Sequence, residues 1–416
     1  MSAGTQRVLF VSYNSLIEPL GPTQILPYIR ALAGTFELSV LSFEKPVRTA
    51  EDDARDTAAT LAQLRADGIE WIRMTYHKRP SLPATMFDIA SGVARIVREH
   101  RKRPFDLLHA RAYVAAAIAA GVKRVTGVPF LFDQRGLQAE EYVDAGIWKQ
   151  GSLAFRLTKQ VEQWILREAD GIVTLTEAVR PLLRSFPGLQ QRAALPPWSV
   201  IPTCVDLKHF AFDAAGRERI RAGLGVGDRP VLVYSGSIGT FYLLDEMLDF
   251  YLAAREQWPG LFFLALVNRS PEIVRQAFAA RGVAPNEFAV AWARHDEMPA
   301  YLSAADAAIA FIRPSVSKQS STPTKYGEYF SCGLPLVTSA GVGDVNTLLG
   351  ESDAGVLISE YSPAAYRVAA ARLRALVTAG SRGPCRALAE REFSLNGRAL
   401  PAYRDLYTRI LDARVA

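Results

Sequence analysis

The chain has 416 residues and a mass of 45.6 kDa, with 49% hydrophobic residues, 22% charged residues and a net charge of +6. That composition excludes a disordered chain, a collagen-like repeat and a small disulfide-stapled scaffold, and the length suits two or three domains that each bury a core. The basic excess is lopsided, with 26 Lys and Arg against 21 Asp and Glu in residues 1–208 and 22 against 21 in residues 209–416. So modest a bias fits an anionic substrate or an anionic membrane surface, and it argues against nucleic acid because no basic stripe interleaved with aromatics is present.

The N-terminus enters a strand-like run (Val8–Ser12) without the basic start and apolar core of a secretory signal. No apolar run reaches the roughly 18 to 20 residues of a membrane span. The three cysteines, Cys204, Cys332 and Cys385, lie far apart with no C-x-x-C spacing, which reads as free thiols in a reducing cytoplasm. The turn-rich segment "NSLIEPLGPTQ" follows, then helical spacing at Ile25, Leu26, Ile29 and Leu32, then a second strand, "FELSVLSF". Strand, turn, helix and strand within about 35 residues form a βαβ unit and predict a parallel sheet.

"EDDARD" (51–56) starts a helix, its acids complementing the helix dipole. "IASGVARIVREHRKRP" (89–104) joins an amphipathic pattern to a basic end; it fits either a packing helix or peripheral contact with the inner face of a membrane. "FDLLHA", "PFLFDQ" and "GIVTLT" read as strands separated by helices, and Ser199–Pro202 as a short strand. A proline-rich hinge follows near residues 205–228, after which the alternation restarts with "RPVLVYSGS" and continues to C-terminal helices. The expected fold is α/β, two doubly wound Rossmann-like domains facing across a cleft: residues 1–205, residues 206–395, and a C-terminal helix, 396–416, that crosses back to the first domain.

Residues 315–344 hold the richest chemistry. Thr322 suits a helix N-cap, Pro323 the first helical position, Gly333 the left-handed position after the helix end, and Pro335 follows it, which predicts a helix from Pro323 to about Cys332. The loop before it, with Ser320, Ser321 and Thr322, and the first-turn Thr324 offer amides and hydroxyls at a helix N-terminus, a natural anion site. Lys318 and Lys325 add positive charge there, and Glu328, three residues after Lys325, can accept two hydroxyl hydrogen bonds as a ribose requires. Asp344, in the turn "GVGD", lies near this loop. No H-E-x-x-H, C-x-x-C or D-x-D occurs, so no metal and no other cofactor is expected, and no G-x-G-x-x-G suggests a dehydrogenase.

"SSTPTKYGEYFSCGLPLV" resembles the donor-binding helix of retaining glycosyltransferases of the GT-B fold, in the family 4 group. "VIPTCVDLKHF", "VLVYSGSIG", "HDEMPAYLSAADAAIAFIRPS" and "EPLGPTQILPYIRALA" resemble further segments of that family in its order, so the resemblance covers nearly the whole chain. It implies transfer of a sugar from a UDP- or GDP-linked nucleotide-sugar to a saccharide or lipid-linked saccharide, with retention, in surface polysaccharide or glycolipid assembly.

Glu328 falls on the family's second glutamate, the ribose ligand. Its first falls on Ser320, so either Ser320 or Lys318 takes over the sugar contact, or the sugar is held differently. The family's Arg and Lys for the diphosphate are absent from "GSIGTFYLLDEM". The anion must then be held by amides near Gly236, Ser237 and Gly239 and by basic residues among Arg313, Lys318 and Lys325. Base contacts are expected near Trp292–Arg294.

The resemblance also implies that Gly21 lets the first loop approach the diphosphate. Asp133 takes the place of a family histidine, while His109, Arg111, Arg135, Glu140 and Glu141 line the acceptor side. A sugar-nucleotide epimerase of the same fold and a non-catalytic sugar-nucleotide binder are the alternatives.

Overall fold

Short apolar runs alternating with helices bury both faces of a sheet, and this chain builds two such sheets. The computed structural model describes residues 5–79, 81–268, 270–350 and 352–415. It divides into unit 1, Met1–Ile201 with Ala399–Ala416, and unit 2, Pro202–Arg398. The division falls after Ile201, ahead of the expected boundary at 205, and the last segment is packed into unit 1.

Unit 1 carries seven strands: β1 (Arg7–Ser12), β2 (Glu37–Glu44), β3 (Glu70–Thr75), β4 (Leu107–Arg111), β5 (Phe130–Asp133), β6 (Gly171–Thr174) and β7 (Trp198–Val200). All pair in parallel, in the order β3-β2-β1-β4-β5-β6-β7. The sheet reverses direction of growth between β1 and β4, where Ser12 pairs with Arg111. Such a switch point leaves a crevice at the strands' carboxyl ends. The sequence reading did not include β3, "EWIRMT", whose outer positions are polar because it is an edge strand.

One face of this sheet is covered by the helices Ser81–Lys102, Ala112–Thr126 and Leu153–Glu168, whose Ile96, Val97, Ile118 and Ile165 join one core with Leu9, Leu108 and Phe132. The apolar side of the basic amphipathic segment is therefore spent on packing, and Arg98, Arg101, Lys102 and Arg103 stand at its solvated end. The other face receives the helix Leu400–Val415, whose Tyr403 and Tyr407 reach His109.

Unit 2 has six strands: β8 (Val231–Ser235), β9 (Phe262–Leu266), β10 (Phe288–Ala291), β11 (Ala307–Ala310), β12 (Leu336–Ser339) and β13 (Gly355–Ile358). They are all parallel, in the order β10-β9-β8-β11-β12-β13, so the switch point lies between β8 and β11. Among the described residues no helix is long and apolar enough to cross a membrane, and Cys204, Cys332 and Cys385 are buried thiols.

Candidate active site

The helix Thr324–Ser331 is aimed at the switch point of unit 2. Its N-cap is Pro323, one residue later than expected, because Pro323 is extended (ψ 129°) instead of helical. Proline has no side-chain acceptor, so the first-turn amides are left without a side-chain cap. Gly327 lets the helix lie against Val205 and Phe393, where a Cβ would meet side-chain atoms at 3.2–3.3 Å. Tyr329 ties the helix to the end of β8, its hydroxyl accepting from the Ser235 amide (2.7 Å) and the Ser235 hydroxyl (2.9 Å).

That placement brings Lys325 beside the turn after β8. Its ammonium lies 4.3 Å from the ring centre of Tyr234 and 3.9 Å from that of Tyr242, and it has no hydrogen-bond partner among the described residues. Lys318 lies 3.6 Å from the ring centre of Phe241. Phe241 and Tyr242 are held by backbone pairing with the segment after β11: Arg313 donates to the Phe241 carbonyl (2.8 Å) and Leu243 to that of Phe311 (3.0 Å). Cations are attracted to the negative face of an aromatic ring, so the two tyrosine rings steady the Lys325 ammonium without consuming its hydrogens. Gly236 is required at this turn: its φ is +122°, and a Cβ would stand 2.8 Å from Lys325 Nζ.

The electrostatics follow from burial. Burial pulls the Lys325 ammonium down to about 7, opposed by the Glu328 charge. Burial likewise pushes the Glu328 carboxyl up to about 7, opposed by Lys325. Each is poised near neutrality, and a bound anion would favour the charged lysine.

The other expected donor residues have mixed placements. The Gly236 amide is committed to the Leu266 carbonyl (2.9 Å), so it is not available to a phosphate. Ser237 and Gly239 stand exposed in the turn. Ser320 is fully buried and its hydroxyl donates to the Ser317 carbonyl (2.9 Å), so it is not available to a sugar. Ser321, Thr322 and Thr324 are half-buried around the helix start. Asp344 precedes the helix Val345–Gly350, and the neighbouring Gly343 amide donates to the Lys318 carbonyl (2.8 Å), which sets that turn against the lysine loop. Trp292 is exposed after β10, and Arg294 pairs with Asp296 (2.9 Å).

In unit 1, His109 and Arg111 on β4 lie next to Asp133 on β5, where Arg111 is the register partner of Asp133. Asp133 Oδ2 lies 3.3 Å from His109 Nε2 and accepts from the Tyr403 hydroxyl (3.2 Å), and its Oδ1 is 3.6 Å from Arg135. His109 Nδ1 is 2.6 Å from the Tyr407 hydroxyl, so both ring nitrogens are engaged and the histidine is a satisfied, buried group. Burial lowers its pKa more than Asp133 raises it, which keeps the ring neutral. Burial opposes ionisation of Asp133, but Arg135, His109 and Arg111 outweigh it and hold the carboxyl below the usual range.

Glu140 pairs with Lys159 (2.8 Å), and the Glu141 carboxylate fills the space a side chain at Gly136 would need. For Gly21 the structure gives a local reason: a Cβ would stand 1.9 Å from the Leu16 carbonyl oxygen. Sequence reasoning missed Tyr234, Phe241, Tyr242, Tyr403 and Tyr407. A pair of aromatics where basic residues were sought, "TFYLL", was the available signal for two of them. No group of three or more His, Cys, Asp or Glu side chains is gathered for a metal ion among the described residues.

Two family profiles match the chain, a glycosyl transferase 4-like domain over residues 23–198 and glycosyl transferases group 1 over residues 229–375. Among characterised relatives, the chain is 25% identical over 277 residues to 2-deoxystreptamine glucosyltransferase of Streptomyces kanamyceticus, which covers 63% of this chain and 66% of that protein. It is 24% identical over 319 residues to D-inositol 3-phosphate glycosyltransferase of Geodermatophilus obscurus, covering 73% and 68%. The chain thus spans about two thirds of the length of these relatives.

Among solved structures, sucrose-phosphate synthase from Thermosynechococcus elongatus superimposes with a TM-score of 0.72 at 16% identity, over 98% of this chain and 100% of that one. HepE of Anabaena, in complex with UDP and glucose, does so with a TM-score of 0.68 at 16% identity, over 99% of each chain. With one profile in each half of the sequence and the architecture shared along its length, the chain belongs to the family 4-like glycosyltransferases and has their GT-B fold.

Proposed function

We propose that this protein moves a sugar from a UDP- or GDP-linked nucleotide-sugar to a hydroxyl of a saccharide or lipid-linked saccharide, with retention, in surface polysaccharide or glycolipid assembly. The observation that carries this reading is the Lys325 ammonium: buried, without a hydrogen-bond acceptor among the described residues, and set at the switch point of unit 2 beside an uncapped helix start. A diphosphate supplies the missing acceptors. Support comes also from the relatives named as glycosyltransferases and from the neighbour solved with UDP and glucose.

In this mechanism the bond from the anomeric carbon to the leaving phosphate breaks while the acceptor oxygen bonds to the same face. The acceptor's hydroxyl proton passes to the leaving phosphate, so no protein nucleophile and no metal or other cofactor is needed. Charge grows on the diphosphate as the bond opens, and preorganised donors stabilise the transition state more than the ground state. Lys325 and Lys318 are assigned to that charge, Glu328 to the ribose hydroxyls, and Ser321, Thr322, Thr324 and the amides of Ser237 and Gly239 to the phosphates. Unit 1, with Asp133, Arg111 and Arg135, is assigned to the acceptor.

Peripheral contact with the cytoplasmic face of a membrane belongs to the same reading. Exposed Leu82, Met86 and Phe87 at the start of the helix Ser81–Lys102, beside exposed Lys78 and Arg79, support it.

A thermal-shift screen of UDP- and GDP-sugars tests the assignment, since a ligand of the folded state raises its midpoint. One nucleotide-sugar should give a saturable rise, which Lys325→Met weakens by about 10- to 100-fold in affinity, the worth of a charged hydrogen bond. No response from any nucleotide-sugar, or an unchanged one in Lys325→Met, refutes the site. Donor epimerised without an acceptor would favour the epimerase reading, and binding without transfer to any acceptor the binding-only one.

A further inference from the structure

The carboxyl edge of unit 1 carries a His–Asp pair that sugar transfer as described does not use. Asp88, on the helix Ser81–Lys102, is fully buried. Its Oδ2 accepts from the Tyr13 hydroxyl (2.8 Å) and from the His77 amide (3.0 Å), and its Oδ1 lies 2.6 Å from His77 Nδ1. Tyr13 directly follows β1, and its ring packs against Phe43 of β2 (5.0 Å between centres) and against Tyr76, the residue after β3 (5.3 Å). The pair therefore stands at the carboxyl ends of three neighbouring strands, the side on which open parallel sheets take ligands.

The two ring nitrogens of His77 differ. A carboxylate mates with the N–H side of a neutral imidazole, so the ring hydrogen is assigned to Nδ1 and Nε2 is left with a lone pair. No described residue hydrogen-bonds Nε2, and the His77 side chain is 44% exposed. The bond from the His77 amide already fastens this segment to Asp88; the ring contact adds a fixed direction for one solvent-facing acceptor. Phe87, 58% exposed, lies 5.1 Å from the His77 ring with the two planes at 88°. A sugar ring offers both counterparts, C–H groups for an aromatic surface and hydroxyls for a lone pair, whereas a carboxylate or phosphate brings no hydrogen to a lone pair.

We propose that His77 and Phe87 form a subsite for a neutral sugar unit of the acceptor, with the His77 Nε2 lone pair accepting from a sugar hydroxyl and Asp88 as the positioning residue that orients the ring. The hydroxyl held there is not the reacting one, whose proton passes to the leaving phosphate. Leu82 and Met86, exposed at the start of the same helix, stay with the membrane contact, an arrangement that suits a saccharide carried on a lipid. The inference rests on the reading of unit 1 as the acceptor half.

The test is saturation-transfer difference NMR on the full chain, titrated with methyl β-D-glucoside, methyl β-D-galactoside and methyl α-D-mannoside. Glycerol, which has hydroxyls but no ring, and methyl phosphate, an anion, are the controls. At least one glycoside should give a saturable signal that neither control gives. His77→Phe, which keeps a ring and removes the lone pair, should weaken that binding about 2- to 10-fold, the worth of one neutral hydrogen bond, and Phe87→Ala, at an exposed position, should weaken it about as much. The role of Asp88 is read from ring 15N shifts of 15N-histidine-labelled protein at about pH 8.5, above the range in which histidines usually titrate. The signal that His77→Phe removes should report hydrogen on Nδ1 and none on Nε2, and it should move when the glycoside is added. Asp88→Asn should mix the two tautomers.

No saturable glycoside signal, binding unchanged in either His77→Phe or Phe87→Ala, an equal response to methyl phosphate, hydrogen on Nε2 in the unsubstituted protein, or a single tautomer kept in Asp88→Asn overturns the proposal. Failure of the donor assignment is read separately, from nucleotide-sugars on the unsubstituted protein.

Discussion

The two switch points handle buried charge in opposite ways. In unit 1, Asp133 is surrounded by donors: His109, Tyr403 and Arg135 converge on one carboxylate. In unit 2, Lys325 and Lys318 are held by aromatic faces, which accept charge without accepting hydrogen bonds. A carboxylate ringed by donors is locked in its charged state. The Lys325 ammonium, set between two rings, makes no hydrogen bond among the described residues and stays close to losing its proton. The contrast separates a buried charge that neighbouring side chains neutralise from one left without a hydrogen-bond acceptor among the described residues.

The contrast breaks most visibly at Asp133. Asp133→Asn removes the carboxylate charge that faces Arg111 and Arg135, and equilibrium unfolding of the variant should show a loss of about 3–5 kcal/mol. A loss under 1 kcal/mol would mean that the carboxylate is not what holds the cluster.

The second effect is pH dependence on the lysine side. The folded pKa of Lys325 is lowered to about 7, so its charge is present below that pH and is lost as the pH rises through it. Glu328 gains charge over the same range, so Glu328→Gln isolates the lysine. In that background nucleotide-sugar affinity should fall about tenfold between pH 7 and 8.5, as a one-unit change in lysine ionisation implies. A nucleotide-sugar is the right probe because free terminal phosphates titrate near pH 6. The dependence should vanish when Lys325→Met is added, and a flat profile before that addition would remove the lysine from the binding step.

The smallest effect sharpens the comparison. Tyr242→Leu should weaken nucleotide-sugar binding about fivefold, the worth of roughly 1 kcal/mol for a cation–π contact. Tyr242→Phe, which keeps the ring, should restore it. Isothermal titration distinguishes the two, and equal losses would assign the effect to the Tyr242 hydroxyl.

How much of this was legible in the sequence depended on the range of the contact. The helix Thr324–Ser331 was readable because Thr322, Pro323 and Gly333 punctuate it locally, and the one-residue error at its start came from a proline that proved extended instead of helical. The parallel sheets were readable from the alternation of apolar runs, whereas edge strand β3 was not, because its polar outer positions mask its period.

The role of Phe241 and Tyr242 was not readable. It depends on pairing between residues 241–243 and 311–313, some seventy positions apart, and nothing local marks it. The same holds for the engagement of His109 by Tyr403 and Tyr407, which lie nearly three hundred residues downstream. Ser320 occupies the aligned position of a missing glutamate, yet alignment does not reveal that its hydroxyl is spent on a carbonyl in the same turn.

The return of residues 399–416 to unit 1 sets an order of assembly. During synthesis unit 2 emerges as one unbroken run and can fold as soon as Arg398 clears the ribosome. Unit 1 emerges first but must wait for the aromatic plug of Tyr403 and Tyr407, and until it arrives His109 and Asp133 are open to water. The unit made first is therefore the unit finished last, and a nascent chain stalled before Leu400 carries an unfinished unit 1.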